Sequence, residues 1–507
     1  MFSSVMSAAI WGVECIPVRV EADVSNGLPV FNMVGYLSSQ VKEASERVRT
    51  AIKNIKISLP PKRITINLSP ADIRKEGNRF DLPIAAALLG AFGFIDREKL
   101  SKVMIAGELS LDGRINPVHG ILPMAETAVK NGCSLCIVPK ENYKEACIAE
   151  GIRVLGIESL EEFIEAAGKE NWGVQDRKKQ EVLQYNTGFY GDFQEIKGQE
   201  SLKRAAVIAA AGFHGLLITG AQGAGKTMIA KRIPGILPPL SKEECLEISR
   251  IYSIAGLLPE EEPLMTRHPF RAPHHTASAI ALAGGGRNPR PGEITLAHRG
   301  VLFLDEFPEF SRQAVEVLRQ PLEEHQILIS RASGSFVFPA HFMLVAAMNH
   351  CPCGRYPDLN RCTCTDGEIQ RYQNRISGPI LDRIDLYVEA PPVEFVDISG
   401  EKTGKTSAEY AREVENAAQI QRERYKEETM TCNSELSHTL LRKYCPVSTD
   451  GGMLLKAAYE KLDLSARAYH KIIKTARTIA DLEESEEIKE AHISEAICFR
   501  KVMKGQV

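Results

Sequence analysis

The chain has no hydrophobic run long enough to cross a bilayer. Its longest apolar stretch, IAAALLGAFGFI at 84–95, falls short of the ~20 residues that a membrane-spanning helix needs. The opening residues MFSSVMSAAIWG carry no basic segment ahead of a hydrophobic one, so they do not resemble a secretory signal. No membrane partner is expected, and the cytoplasm is the default location. Internal repeats and low-complexity tracts are missing too, which excludes solenoid and disordered classes. Nor does one charge dominate: a formal net charge of −3 gives no general sign of nucleic-acid binding, so any such reading has to come from local charge. Twelve cysteines without an export signal favour thiols or metal ligands over disulfides. With 44% hydrophobic and 25% charged residues over 507 positions, the composition is that of globular material with about two to four domains.

Two motifs stand out. Residues 220–227 read GAQGAGKT, between a strand-like LLIT at 216–219 and a helix-like MIAKRI at 228–233. In that strand, loop, helix order, main-chain N–H groups of a glycine-rich loop wrap phosphate oxygens. Gly220, Gly223 and Gly225 shape the loop, Lys226 reaches the terminal phosphates, and Thr227 is an expected ligand of Mg²⁺. Downstream, VLFLDE ends on Asp305 and Glu306. Asp305 is expected to hold the water shell of the metal, and Glu306 to polarise the attacking water. Together the motifs imply hydrolysis of ATP or GTP. Ile196 is expected among the nucleotide-contacting residues.

The distance between the motifs exceeds what one helix and one strand need, so a segment is inserted there. From Pro263 to Gly292 it has no acidic residue, but it contains Arg267, His268, Arg271, His274, His275, Arg287 and Arg290. Two readings stay open: a mobile cationic loop that binds backbone phosphates of DNA or RNA, or a solvated loop whose glycines only turn the chain. The adjacent His274 and His275 read as solvated or phosphate-facing. FMLVAAMN at 342–349 is a further buried-strand pattern. Asn349 at its end either bonds the water or γ-phosphate or is a turn residue. RISGPILDRIDL at 375–386 sets Arg383 beside Asp382 and Asp385, as a salt-bridge partner or as a finger offered to the γ-phosphate of the next subunit.

CPCGRYPDLNRCTC gathers Cys351, Cys353, Cys362 and Cys364, two thiolate pairs that suit tetrahedral Zn²⁺. The other reading is four reduced thiols on an exposed loop. Cys133 and Cys136, in CSLCIV, alternate into a core and read as packing residues.

GAQGAGKT, the long insert, VLFLDE, AAMN, SGPILDRIDL and LSARAYHKI resemble AAA+ ATPases of the magnesium-chelatase-like group, specifically the YifB/ComM family. FRAPHHTAS and PGEITLAHRGVLFLDE carry the same likeness, which covers nearly the whole chain. The resemblance implies a homohexameric ring with ATP at subunit interfaces, Asn349 as sensor 1, Arg383 as arginine finger and Arg467 as sensor 2. Similar proteins usually have prolines in the phosphate loop where this chain has Ala221 and Gln222. The segment GELSLDGRINPVHGILPMAETAVKNGCSLCIVPKEN at 107–142 resembles the peptidase domain of Lon proteases. Arg79 stands where such chains have the serine, and Leu122 and Met124 where they have lysines, so the Ser–Lys dyad is absent and peptide hydrolysis is not expected.

The expected architecture is α/β and multidomain. A Lon-protease-like domain (ribosomal S5 domain 2-like) spans 1–168, and a polar linker spans 169–190. An AAA+ P-loop α/β core spans 191–398, a second linker 399–407, and a C-terminal helical lid 408–507, with amphipathic patterns at 408–428 and 465–483. The resemblance implies an ATP-driven motor on single-stranded or branched DNA, a branch-migration helicase in recombination and natural transformation. The alternative is a magnesium-chelatase-type subunit that remodels a protein partner, although such subunits usually lack the Lon-like domain and the cysteine cluster.

Overall fold

Alternating apolar residues along Phe2–Trp11 and Glu14–Ser25 make an antiparallel pair, in register from Phe2 opposite Asp23 to Trp11 opposite Glu14, with one face turned inward. Around it grows a seven-stranded mixed sheet, in the spatial order Val30–Val34, Arg63–Ser69, Glu14–Ser25, Phe2–Trp11, Val103–Ile105, Leu135–Pro139 and Arg153–Ile157. The helix Asp81–Phe92 packs across the first two strands of the chain and is buried from Asp81 to Ala91, which is why it is apolar all round. Its one acid accepts two bonds from Arg47, at 2.7 and 2.9 Å. The strand read at 63–68 and the helix read at 80–92 match these elements to within a residue. The computed structural model of the chain describes residues 1–174, 190–331, 334–356, 358, 360–391 and 404–500. Most of the expected linker at 169–190, and 399–403 of the second one, lie outside them.

The middle of the chain forms a parallel sheet in the order Phe270–Arg271, Val301–Leu304, Met343–Met348, Leu216–Gly220 and Leu386–Ala390. Central parallel strands are covered on both faces, so they carry continuous apolar runs. VLFL and MLVAAM are accordingly buried at every position. Gly220, Asp305 and Asn349 all fall at the carboxyl ends of their strands, where open α/β sheets bind ligands.

The inserted segment is more ordered than its composition implies. Helix Lys242–Ala255 starts at a Ser241/Glu244 capping box and lies along helix Ile121–Lys130 of the N-terminal domain. Arg250 pairs with Glu126 at 2.7 and 2.9 Å, and Ser253 Oγ donates to Glu145 at 2.5 Å. Gly120 N–H donates to the Ser253 carbonyl at 3.0 Å. The insert thus joins the first domain to the second. Its basic stretch ends in a short pairing of Gly284–Gly285 with Arg290–Pro291. Beyond the acidic strand end lies a hairpin that the sequence reading does not mark, Gln326–Arg331 against Gly334–Pro339. The Phe336 ring of this hairpin meets Trp11 at 4.4 Å between centroids.

The lid contains the helices Ser407–Arg424, His438–Tyr444, Thr449–Lys461, Ala466–Leu482 and Glu490–Cys498. Asp385 fastens it to the core, accepting from Lys471 of the lid at 2.6 Å and from Gly215 N–H at 2.9 Å. Burial alone would raise that carboxyl, but Lys471 and His214 hold it well below the usual range. Among the described residues no helix is long and apolar enough to cross a membrane.

Candidate active site

The loop 220–225 turns between the strand Leu216–Gly220 and the helix Lys226–Arg232. A Cβ at Gly220 would stand 2.6 Å from the Ala390 carbonyl, and Gly225 has a φ of +82°, so both turns need glycine. Lys226 Nζ donates to the carbonyls of Gly220 and Ala221 at 2.8 and 2.9 Å and to Asn349 Oδ1 at 2.9 Å. Burial pushes this ammonium below its ordinary range, so an anionic phosphate beside it is favoured. Thr227 Oγ1 donates to Asp305 Oδ2 at 2.8 Å, and Asp305 Oδ1 accepts from Glu306 N–H at 2.9 Å. A hydroxyl and a carboxylate in contact at a strand end are hard oxygen donors that fit Mg²⁺. Thr227 and Asp305 would hold that ion, which would neutralise charge on the β- and γ-phosphate oxygens. Ile196 lies in the buried apolar cluster that includes Ala224 and Ile229.

Sequence reasoning misses one neighbour. His275 Nδ1 lies 3.1 Å from Glu306 Oε2, because Phe270–Arg271 runs parallel to Val301–Leu304 and the residues beyond the two strand ends meet. The signal in the sequence was FRAPHHTAS itself, which places His275 just past a strand. His275 is therefore not simply solvated, although His274 remains exposed and stacks on it at 4.1 Å. Other cations of the insert are also engaged. Arg271 pairs with Glu293 at 2.7 Å, Arg267 lies 3.4 Å from Glu262, and His268 bonds the carbonyl of Pro238 at 2.7 Å. Arg287 and Arg290 stay exposed.

Arg383 and Arg467 are brought together, and away from the loop. Leu386 pairs with Leu216 in parallel register, so Arg383 lies near the opposite end of the sheet from Lys226, roughly 15 Å of strand away. It is ion-paired to Glu323 and donates from Nη1 to the Pro379 carbonyl at 2.6 Å, with its side chain 9% exposed. Arg467, 61% exposed, reaches within 4.0 Å of the same Glu323.

The four clustered cysteines converge, with all sulfurs within 4.8 Å of one another. Cys351 Sγ is 3.3 Å from Cys353 and 3.8 Å from Cys362, and Cys353 is 3.6 Å from Cys362. A tetrahedral zinc with bonds of ~2.3 Å has edges of about 3.8 Å, so the set fits Zn²⁺. The backbone amide of Arg355 and the thiol of Cys351 hold Cys353 down to about 6, which favours the thiolate that a metal needs. This loop touches the phosphate loop: Gln222 N–H donates to the Gly354 carbonyl at 3.2 Å. Cys133 and Cys136 are buried core residues, and Leu122 and Met124 are fully buried apolar ones.

Three family models match: "Magnesium chelatase, subunit ChlI" over residues 192–398, "Subunit ChlI of Mg-chelatase" over 20–142, and "Magnesium chelatase, subunit ChlI C-terminal" over 404–500. The chain is 41% identical to competence protein ComM of Haemophilus influenzae over 506 residues, 99% of this chain and 97% of that one. It is 42% identical to YifB of Escherichia coli over 504 residues, with the same coverage of 99% and 97%. The magnesium-chelatase 67 kDa subunit of Heliobacterium mobile is 28% identical over 244 residues, 42% of this chain and 36% of the relative. With likeness running through all three domains, the chain belongs to the YifB/ComM family of magnesium-chelatase-like AAA+ ATPases.

Proposed function

We propose that this chain is an ATP-driven motor that acts on DNA as a homohexameric ring. The observation that carries the ring is the position of Arg383 and Arg467, at the far end of the sheet from Lys226. A guanidinium placed there serves the phosphate of an adjoining copy, and each copy completes the site of its neighbour. Lys226, Thr227 and Asp305 bind the Mg²⁺–ATP, Asn349 and Glu306 orient the water, and Glu306 takes its proton. Arg383 stabilises the charge that develops on the γ-phosphate, and Arg467 reads the same phosphate from the lid. Zn²⁺ on Cys351, Cys353, Cys362 and Cys364 is structural in this reading.

The DNA assignment rests on the full-length likeness to a protein named for competence and on the exposed Arg287 and Arg290 of an acid-free segment. Branch migration of single-stranded or forked intermediates in recombination during natural transformation is the activity that fits both, in the cytoplasm where such DNA is processed. The names of the family models favour a second reading, a chelatase-type ATPase that remodels a protein partner. The magnesium-chelatase 67 kDa subunit of Heliobacterium mobile, however, aligns with only 42% of this chain. ATP turnover measured with and without single-stranded and forked DNA, across a salt series, separates the two. A DNA motor is stimulated by DNA, with stimulation falling as salt rises. Turnover indifferent to every oligonucleotide and to salt ends the DNA reading.

A further inference from the structure

Arg79 is an expensive side chain to keep where it is. It is 7% exposed. Its Nη2 donates to the His119 carbonyl at 2.6 Å, and its Nη1 has no hydrogen-bond partner. The thiol of Cys15 lies beside it, but burial pushes that thiol up to about 12, so it stays neutral and brings no counter-charge. Glu145 is near enough to feel the guanidinium but is engaged by the amides of Ile121 and Leu122 and by Ser253. A buried, partly bonded cation is unfavourable unless an anion completes it.

Arg79 lines a cavity of about 380 Å³ between the N-terminal domain and the ATPase core. That size is at the lower end of the roughly 300–1,000 Å³ typical of small-ligand sites and holds one nucleotide. Four guanidiniums border it, those of Arg74, Arg79, Arg287 and Arg290, against two carboxylates, Glu76 and Glu108. Arg74 is paired with Glu76 at 2.9 Å; Arg287 and Arg290, on the basic turn, also act on that carboxyl but remain exposed. The aromatic part of the wall is Trp11 with Phe336, and an indole is a stacking surface for any base.

We propose that this cavity binds a nucleoside phosphate, its phosphate on Arg79 and the arginines of the turn, and its base against Trp11. The nucleotide is either one residue of a DNA strand or a free mononucleotide. The first source rests on the DNA reading above, and the second does not.

The chain has two tryptophans, Trp11 in the cavity and Trp172 packed against Phe163. In full-length protein carrying Trp172→Phe, and Lys226→Ala to silence the phosphate loop, Trp11 fluorescence reports on the cavity. Titration with dTMP and with oligo(dT) is expected to give saturable quenching. The double variant Arg287→Ser/Arg290→Ser, and separately Arg79→Met, are expected to weaken it roughly tenfold or more. Because Arg79 is buried, the turn variant carries the test should Arg79→Met fail to fold. Quenching by dTMP with no oligo(dT) binding by anisotropy upholds the cavity and removes the DNA reading. Labelled oligo(dT) that binds while Trp11 ignores both probes overturns the cavity and leaves the DNA reading in place. Silence in both measurements overturns both.

Discussion

Glu306 is held in a left-handed backbone conformation, with φ at +51°, which costs a non-glycine residue about 1–3 kcal/mol. Its carboxylate is met by His275. In the proposed mechanism Glu306 takes a proton from water, and a histidine against its carboxylate hinders that, so His275→Ala is expected to raise ATP turnover without DNA about fivefold, the factor carried by the ~1 kcal/mol of an exposed ion pair. Steady-state ATPase assays check it, and unchanged basal turnover would mean that the pairing does not restrain Glu306. A second residue-level prediction concerns acid stability. His298 Nδ1 accepts from His341 N–H, which leaves the proton on Nε2 for Glu247 at 3.1 Å. That bond, with Arg299, pulls Glu247 down to about 2, below its usual ~4.3. The folded value lies below the unfolded one, so the contribution is complete above about pH 4.5 and is lost as pH falls toward 2. Tm followed over that window is expected to fall less steeply in Glu247→Gln than in the native chain. At this scale the sequence was most legible where chemistry is contiguous: Lys226, Thr227, Asp305 and Glu306 sit in runs whose neighbours give their setting. His275 was not, because its partner lies on another strand and only the sheet order brings them together.

Two loops that are far apart in sequence are in contact. The Gln222–Gly354 hydrogen bond joins the phosphate loop to the cysteine loop, and a proline at 222 has no N–H to make it. One zinc per chain is expected by metal analysis, lost in Cys351→Ser/Cys353→Ser. Chelation is expected to raise the KM for ATP several-fold in the native chain and to leave Gln222→Pro, whose loop lacks the link, nearly unchanged. An equal rise in both would sever the two sites. Element by element, RITINL, FDLPIAAALLGAF and VLFL were readable because buried strands and helices keep their period. The hairpin Gln326–Arg331 with Gly334–Pro339 also alternates, with Ile327, Ile329, Phe336 and Phe338 inward, but those few positions are spread over two short strands. The basic insert was legible only in part. Its charges suggested a solvated or polyanion-bound loop, and composition gives no hint that Arg271 closes on Glu293 or that Arg250 docks on Glu126 of another domain.

In the whole molecule, Lys226 of the phosphate loop lies near one end of the parallel sheet, and Arg383, with Arg467 beside it, near the other. Arg383→Ala is therefore expected to keep ATP binding and lose turnover, while Glu306→Gln binds without turnover. Mixed together, the two variants are expected to recover part of the native rate, since some interfaces then carry an intact Glu306 and an intact Arg383. Mixtures that assemble normally and stay inactive count against a finger acting between copies. The likeness in SGPILDRIDL and LSARAYHKI made both arginines visible in the sequence. Their shared dependence on Glu323 was not, since that acid lies well upstream in a segment with no motif.

Glu323 engages Arg383 and stands within reach of Arg467, so under the proposed mechanism a solitary copy would hold its finger on its own carboxylate. In the proposed ring, the phosphates of a bound ATP on an adjoining copy would compete with that carboxylate for them. A molecule working this way would spare cellular fuel while its copies are scattered, and would begin to spend it once they have gathered.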